Sequence, residues 1–281
     1  MEFLQYDFFQ RALVAGLIAA LVCPLIGIFV VVRRQSLIGD GLGHIAFAGV
    51  TGGYLIGWYP VVGALVLTVV GAIGIELMRR RHTQYTDMGL AIFFYAGIAM
   101  AIIFSTMTKM PSAGLLSFLF GSIMTVTTTD VTLIAISGTM AAAVIYFLYN
   151  KLMLIAIDED VASVTGVNVS LINMAFSVIT AVVVVVGMTV VGILLVSALM
   201  VVPVAAAYLL RLSFKGTLIA AAAISVVSVL MGLIISFYLD IAPGGTIVIM
   251  AVGIYATLLI CRKVMELKTK YSRGLPMTRH K

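Results

Sequence analysis

The sequence predicts an all-α membrane protein, a polytopic bundle of about eight to nine transmembrane helices forming a single domain over residues 1–281, and three observations carry that prediction. Of the 281 residues 63% are hydrophobic and 10% are charged, with a mean hydropathy of +1.22. So little polar surface cannot coat a soluble globule of this size. Apolar stretches of membrane length, about 20 residues each, recur from one end of the chain to the other. The positive charges fall between those stretches, where they report topology.

The apolar stretches lie at 12–32, 37–57, 61–78, 88–108, 131–149, 170–188, 190–210, 216–238 and 245–261. The segment at 190–210 follows its predecessor almost without a loop, which leaves the count at eight or nine. The first stretch is expected to remain as a helix, because the leader from Met1 to Asp7 is acidic and the run is too long for a signal core. Small residues such as Ala15-Gly16, Gly49, Gly52-Gly53, Gly71 and Gly74 let membrane helices approach closely. No gap between spans holds a Pro-rich, Gly/Ser-rich or low-complexity linker, so no soluble domain separates out.

With the loop at Arg33-Arg34 placed in the cytoplasm, alternation puts Arg79 to Arg81, Lys151, Arg211, Lys215 and the tail from Arg262 to Lys281 on the same side. Only Arg11 and Lys109 fall opposite. This asymmetry predicts an outside amino terminus and a cytoplasmic carboxyl terminus. The net charge of +6 does not point to nucleic acid, which needs a basic face on a soluble fold. Cys23 and Cys261 each lie within an apolar span and are read as packing residues, with no disulfide framework or thiolate metal cluster. The sixteen methionines are scattered without ligand-like spacing.

Two loops carry more information than the others. The outer one, from Met110 to Asp130, contains an apolar piece too short to span, Leu115 to Phe120, which predicts an interfacial or re-entrant helix. The cytoplasmic one runs from Asp158 to Asn168. Asp158, Glu159 and Asp160 open a helix, Val161 and Val164 make a short apolar stripe around Ala162, and Gly166 stops it. A compact amphipathic helix with an Asp cap follows, and a soluble partner can dock on it.

Candidate chemistry concentrates in the stretch from Ser36 to His44. Asp40 and His44 are four residues apart, so one helix face carries both, with Cβ atoms roughly 5–6 Å apart. An Asp at the centre of a membrane helix costs about 2.5–3.5 kcal/mol on insertion scales, so the pair is a site hypothesis by default. Carboxylate plus imidazole is zinc-ligand chemistry, and Gly39, Gly41 and Gly43 leave room beside it. Of the other histidines, His82 belongs to a basic loop and His280 to the tail. Asp240, ahead of the helix-breaking Pro243-Gly244-Gly245, is a candidate to receive a cation at the outer mouth, set against the plainer reading of a solvated helix-end acid. Pro203 sits inside a span and frees a carbonyl one turn earlier. The chain has no phosphate-binding loop, so it is not expected to hydrolyse ATP, and it lacks the common hydrolase signatures.

Five pieces, in order, resemble the permease subunits of bacterial ATP-binding-cassette importers for zinc and manganese. They are Phe9 to Leu13, Arg33 to Asp40 with His44, Phe120 to Val126, Val191 to Leu199 leading to Pro203, and Phe237 to Asp240 continuing through Gly245 to Val248. The resemblance covers nearly the whole chain. It implies a homodimer in the bacterial plasma membrane with the pathway at its centre, two cytoplasmic ATP-binding subunits beneath, and an extracytoplasmic metal-binding protein above. It also implies that Asp40 and His44 face the pathway and that the Asp158 to Asn168 segment is the coupling helix seated in the ATPase. Metal would be cargo, with no cofactor held permanently. The family pattern usually has Ser before the His, where Gly43 stands. The wording around Arg34 to Leu37 looks more like the zinc members, so zinc is the expected cargo and manganese or iron the alternative. Two other readings stay open on the residues: a permease for a bulkier chelate, and an ATPase-independent secondary transporter or channel in which Asp40 and His44 relay protons.

Overall fold

The computed structural model describes residues 6–81, 86–108, 112–122 and 126–272. The leader up to Gln5, His82, Lys109 to Pro111, Ile123 to Thr125, and the tail from 273 with His280 lie outside the described residues. Those that are described form eleven α-helices and no strand. In chain order they are α1 (Asp7–Val32), α2 (Ile38–Leu55), α3 (Pro60–Arg81), α4 (Thr86–Thr108), α5 (Ser112–Phe120), α6 (Thr128–Ile157), α7 (Glu159–Val164), α8 (Val169–Val191), α9 (Ile193–Tyr208), α10 (Phe214–Leu239) and α11 (Pro243–Ser272).

Each of the nine apolar stretches is a helix, but seven helices are long and apolar enough to cross a membrane: α1, α3, α4, α6, α8, α10 and α11. The expected eight to nine therefore includes two helices that fall short of that measure, for different reasons. α9 has 16 residues, and α2 carries Asp40, His44 and several glycines in its 18. At 1.5 Å per residue α9 reaches about 24 Å, against a hydrocarbon core of about 30 Å. Both sit inside the bundle, where neighbouring helices shield them: α2 packs on α3, α4, α8 and α9, and α9 on α1, α10 and α11. Thirteen of the 18 residues of α2 are buried, and Asp40 and His44 are among the five that are not.

Local sequence explains the helix ends. α6 begins three residues earlier than its apolar run because Thr127 and Asp130 form a reciprocal capping box. α1 and α9 continue through Pro24 and Pro203. α8 and α9 are separated by a single residue, Gly192, at φ 87°, a left-handed value that glycine adopts at no cost. The expected short helix in the outer loop exists as α5, and its end is seated on this joint. A Cβ at Gly121, itself at φ 74°, would lie 2.5 Å from the Val191 carbonyl oxygen. Among the cysteines, Cys23 packs in the core as expected, whereas Cys261, also expected to pack, is exposed on α11.

Contacts between distant helices fix a basic end, where α1 and α3 finish and α8 starts. The opposite end holds the α5 joint and an aromatic group in which Phe9 meets Phe237 edge-on at 5.4 Å and Tyr6 lies 6.0 Å from Phe237.

Candidate functional site

Asp40 lies in the first turn of α2 and His44 one turn on, both half-buried. The intervening glycines face the neighbours. A Cβ at Gly39 would sit 3.2 Å from Ser197, and one at Gly43 would sit 2.6 Å from Ile193, so α9 lies against the side of α2 that has no side chains. α4 closes over the backbone of His44 itself, since a Cβ at Gly97 would be 2.9 Å from the His44 carbonyl carbon. One turn earlier on α4, Phe94 meets the imidazole edge-on at 4.7 Å between ring centroids. Phe94 and Gly97 thus position the imidazole, and the sequence gives them no mark beyond their place on an apolar helix. Among the described residues, neither the carboxylate of Asp40 nor the imidazole has a hydrogen-bond partner.

The pair has no third donor beside it: among the described residues no cluster of three or more His, Cys, Asp or Glu side chains comes together. Asp240 does not join Asp40 and His44. It caps α10 in a left-handed conformation, φ 52° and ψ 45°, with its N–H donating to the Ser236 carbonyl. There it lines a cavity of about 260 Å³ with Phe8, Gly121, Ser122, Phe237 and Pro243. This cavity borders the α5 joint, and the joint in turn leads through Ile193 to Gly43. Asp240 and the pair are therefore linked through packing, without sharing a ligand site.

At the basic end, α7 forms as the sequence indicates. Asp158 caps it, its carboxylate accepting from the N–H groups of Asp160 and Val161 at 3.0 Å each. Gly166 ends the turn at φ 81°. Val161 is 49% exposed and Val164 87%, while Ala162 is fully buried against the bundle. Asp160 also faces out. Glu159 alone among the three acids turns inward, accepting from both terminal nitrogens of Arg79 at 2.9 and 3.0 Å. These hydrogen bonds hold the Glu159 carboxyl below the usual carboxylate range against a smaller desolvation effect, with the charges of Arg79 and Arg33 and a hydrogen bond from Asn173 acting the same way. Arg33, stacked 5.8 Å over the Phe176 ring, donates to Asn173 at 2.8 Å. Burial pushes its guanidinium down to about 10, Arg79 pushing further and Glu159 and Glu76 opposing, so it stays charged at neutral pH.

A helical bundle with a carboxylate and imidazole on an inner helix that make no hydrogen bond among the described residues, and an exposed apolar stripe on a short helix at its basic end, has the build of a membrane transport subunit. The comparisons give the family. Residues 5–262 match the model of the ABC 3 transport family. A Treponema pallidum protein named "probable metal transport system membrane protein" is 34% identical, with 95% of this chain and 100% of that one covered. The manganese transport system membrane protein MntC of Halalkalibacterium halodurans is 30% identical over 97% of this chain and 94% of its own. Among solved structures, PsaBC from Streptococcus pneumoniae, in complex with Fab, superposes with a TM-score of 0.83 at 26% identity, covering 95% of this chain and 99% of that chain. The chain belongs to the ABC 3 transport family.

Proposed function

We propose that this protein is the membrane permease of an ATP-driven importer that carries a divalent metal ion into the bacterial cytoplasm. The observation that carries the reading is the Asp40/His44 pair, one turn apart on an inner helix and free of hydrogen bonds among the described residues, in a chain of this family. Zinc was the expectation from the wording of the sequence. The relatives named for manganese transport do not support that finer choice and favour the manganese alternative. The donor set is neutral on this choice, since imidazole suits zinc and carboxylate suits manganese.

A dication cannot cross hydrocarbon unaided, and a complete protein cage would trap it. Two donors from each of two copies, meeting at a dimer axis, form a four-donor site that dissolves when the helices part. The half-buried pair on one protomer, with no third ligand beside it, fits that incompleteness. Hydrolysis of ATP belongs to separate cytoplasmic subunits, docked on the exposed face of α7, and an extracytoplasmic metal-binding protein delivers at the end that carries Asp240. This places the amino terminus outside and the basic end, with Arg33, Arg79 and the start of α8, in the cytoplasm.

The test is uptake of radiolabelled manganese and zinc by cells expressing the permease with its ATP-binding and metal-binding partners, for wild type, Asp40→Ala and His44→Ala at matched membrane levels. Loss of at least tenfold in both variants is expected, with manganese the transported ion. Normal uptake in either variant refutes the ligand pair, and zinc transport without manganese restores zinc as cargo.

A further inference from the structure

The basic end contains a charged assembly that the transport reading does not by itself require. Glu76, near the end of α3, is only 3% exposed, and its carboxylate receives Arg79 in a two-pronged contact from Nε and Nη2, both at 3.0 Å. The same guanidinium grips Glu159 on α7 through Nη1 and Nη2. Arg79 therefore clamps two carboxylates, one on its own helix and one eighty residues away. Arg80 adds a 3.5 Å contact to Glu76 and donates to the Ser170 carbonyl at the start of α8. Glu159 accepts a further bond from Asn173 at 3.1 Å, and Asn173 accepts from Arg33. A guanidinium fork shared between two carboxylates fixes direction as well as distance.

What α3 does with that grip follows from its other face. α3 meets α2 through the Ile45 side chain at Gly71 and, further along, through backbone: a Cβ at Gly49 would lie 2.6 Å from the Ala64 Cα, and one at Gly53 would lie 3.2 Å from the Gly63 Cα. No layer of soft side chains separates the two helices there, so a displacement of α3 is handed to α2 without being absorbed. α2 carries Asp40 and His44. A continuous stiff path thus runs from Glu159 at the root of α7, through Arg79 into α3, and from α3 into the ligand-bearing helix.

We infer that Arg79 and Glu159 are positioning residues that convert movement of α7 into movement of α2, so that the Glu76–Arg79–Glu159 clamp couples ATP hydrolysis to opening and closing of the metal site. This rests on the permease reading above. Val161 and Val164 face away from the clamp and would seat the ATPase, whereas Glu159 faces into it; docking and transmission occupy opposite sides of the same short helix. The two functions are therefore separable by mutation.

The experiment uses the full complex of permease and ATP-binding subunits in liposomes, with its metal-binding protein and manganese, and reads manganese moved per ATP hydrolysed. Glu159→Gln is the main variant because Glu159 is 43% exposed at its side chain and the buried Glu76–Arg79 contact survives. The expected result is normal co-purification of the ATP-binding subunits, ATP hydrolysis within twofold of wild type, and a fall of at least fivefold in metal per ATP. Glu159→Asp, which keeps the charge, is expected to recover part of the ratio. An unchanged ratio in Glu159→Gln overturns the inference, as does loss of the ATP-binding subunits, which would make the clamp a seat for α7 and nothing more. A wild-type complex that moves no divalent metal fails the permease reading itself and takes the inference with it. The wild-type lane separates these failures.

Discussion

Replacing Arg79 by Ala should cost far more stability than replacing Glu159 by Ala, although the two side chains touch. Arg79 is the principal partner of Glu76, whose carboxylate is 3% exposed and cannot turn to water. Removing one partner of a buried ion pair typically costs about 3–5 kcal/mol, because the survivor keeps its desolvation penalty. Here Arg80 remains 3.5 Å from Glu76, so the lower end, about 3 kcal/mol, is expected. Glu159 is 43% exposed, and Arg79 retains Glu76 when it goes. A pair so open to solvent contributes about 0–1 kcal/mol. The difference, about 2 kcal/mol or more, exceeds a tenfold change in the folding equilibrium. Titration of the purified protein from mild detergent into dodecyl sulfate, followed by circular dichroism, measures it. Equal losses in the two variants, or a greater loss in Glu159→Ala, refute the reasoning that burial of Glu76 governs the clamp.

Val164→Asp, at a position 87% exposed, should leave the isolated permease as stable as wild type while weakening co-purification of the ATP-binding subunits at least tenfold; undiminished binding would move the docking face elsewhere. Gly121→Ala combines a left-handed φ of 74° with a Cβ 2.5 Å from the Val191 carbonyl oxygen. Overpacking of that kind costs about 1–3 kcal/mol, and a fall in the midpoint of thermal unfolding checks it. The seating of α7 should weaken on acidification. Because the hydrogen bonds and charge of Arg79 lower the folded-state pKa of Glu159, the contribution is fully present above the ordinary glutamate value of about 4.3 and is lost as pH falls through the lower folded value. Hydrogen exchange of the α7 amides as a function of pH reads this, and Glu159→Gln should flatten the dependence.

The sequence made the helices legible because lipid leaves so few alternatives. Every apolar stretch is helical, and even the short piece before Phe120 was marked by being too short to span. Lengths were harder to read. The stretch ending at 149 runs on to Ile157, since polar Asn150 and Lys151 interrupt hydropathy without interrupting helix. The status of α2 and α9 as inner, shielded helices depends on which neighbours surround them, and hydropathy carries no record of that. The same limit applies to the site. Asp40 and His44 were found by spacing alone, but Phe94 and Gly97 bear on His44 only through the way α4 crosses α2. Arg33 and Arg79 were read as markers of topology. Glu76 and Arg79 stand three residues apart, a helical pairing distance, and that was the available clue to the clamp; the partnership with Glu159 is made by tertiary packing.

The two ends of the bundle are held by different physics, and the difference bears on where the molecule can move. At the basic end the joints are forks of charged hydrogen bonds, directional and shared among α1, α3, α7 and α8. At the opposite end they are apposed backbones at Gly121, Gly192 and Gly244, with aromatic rings around them and no ion pair among the described residues. Bonds of the first kind transmit a pull without slipping, because sliding one partner breaks the fork. Backbone contacts at the glycine joint resist compression, as those between α2 and α3 do, but among the described residues no charged hydrogen bond ties them against separation. On the proposed function, an importer driven from the cytoplasm needs stiffness where force enters and freedom where the outer mouth opens. Asp40 and His44 lie between these regimes, on a helix fixed to α3 by backbone contact and bordered through Ile193 by the glycine joint. A pull on α7 is therefore delivered to α2, and the compliance that lets α2 respond lies on the side of α9 and α5.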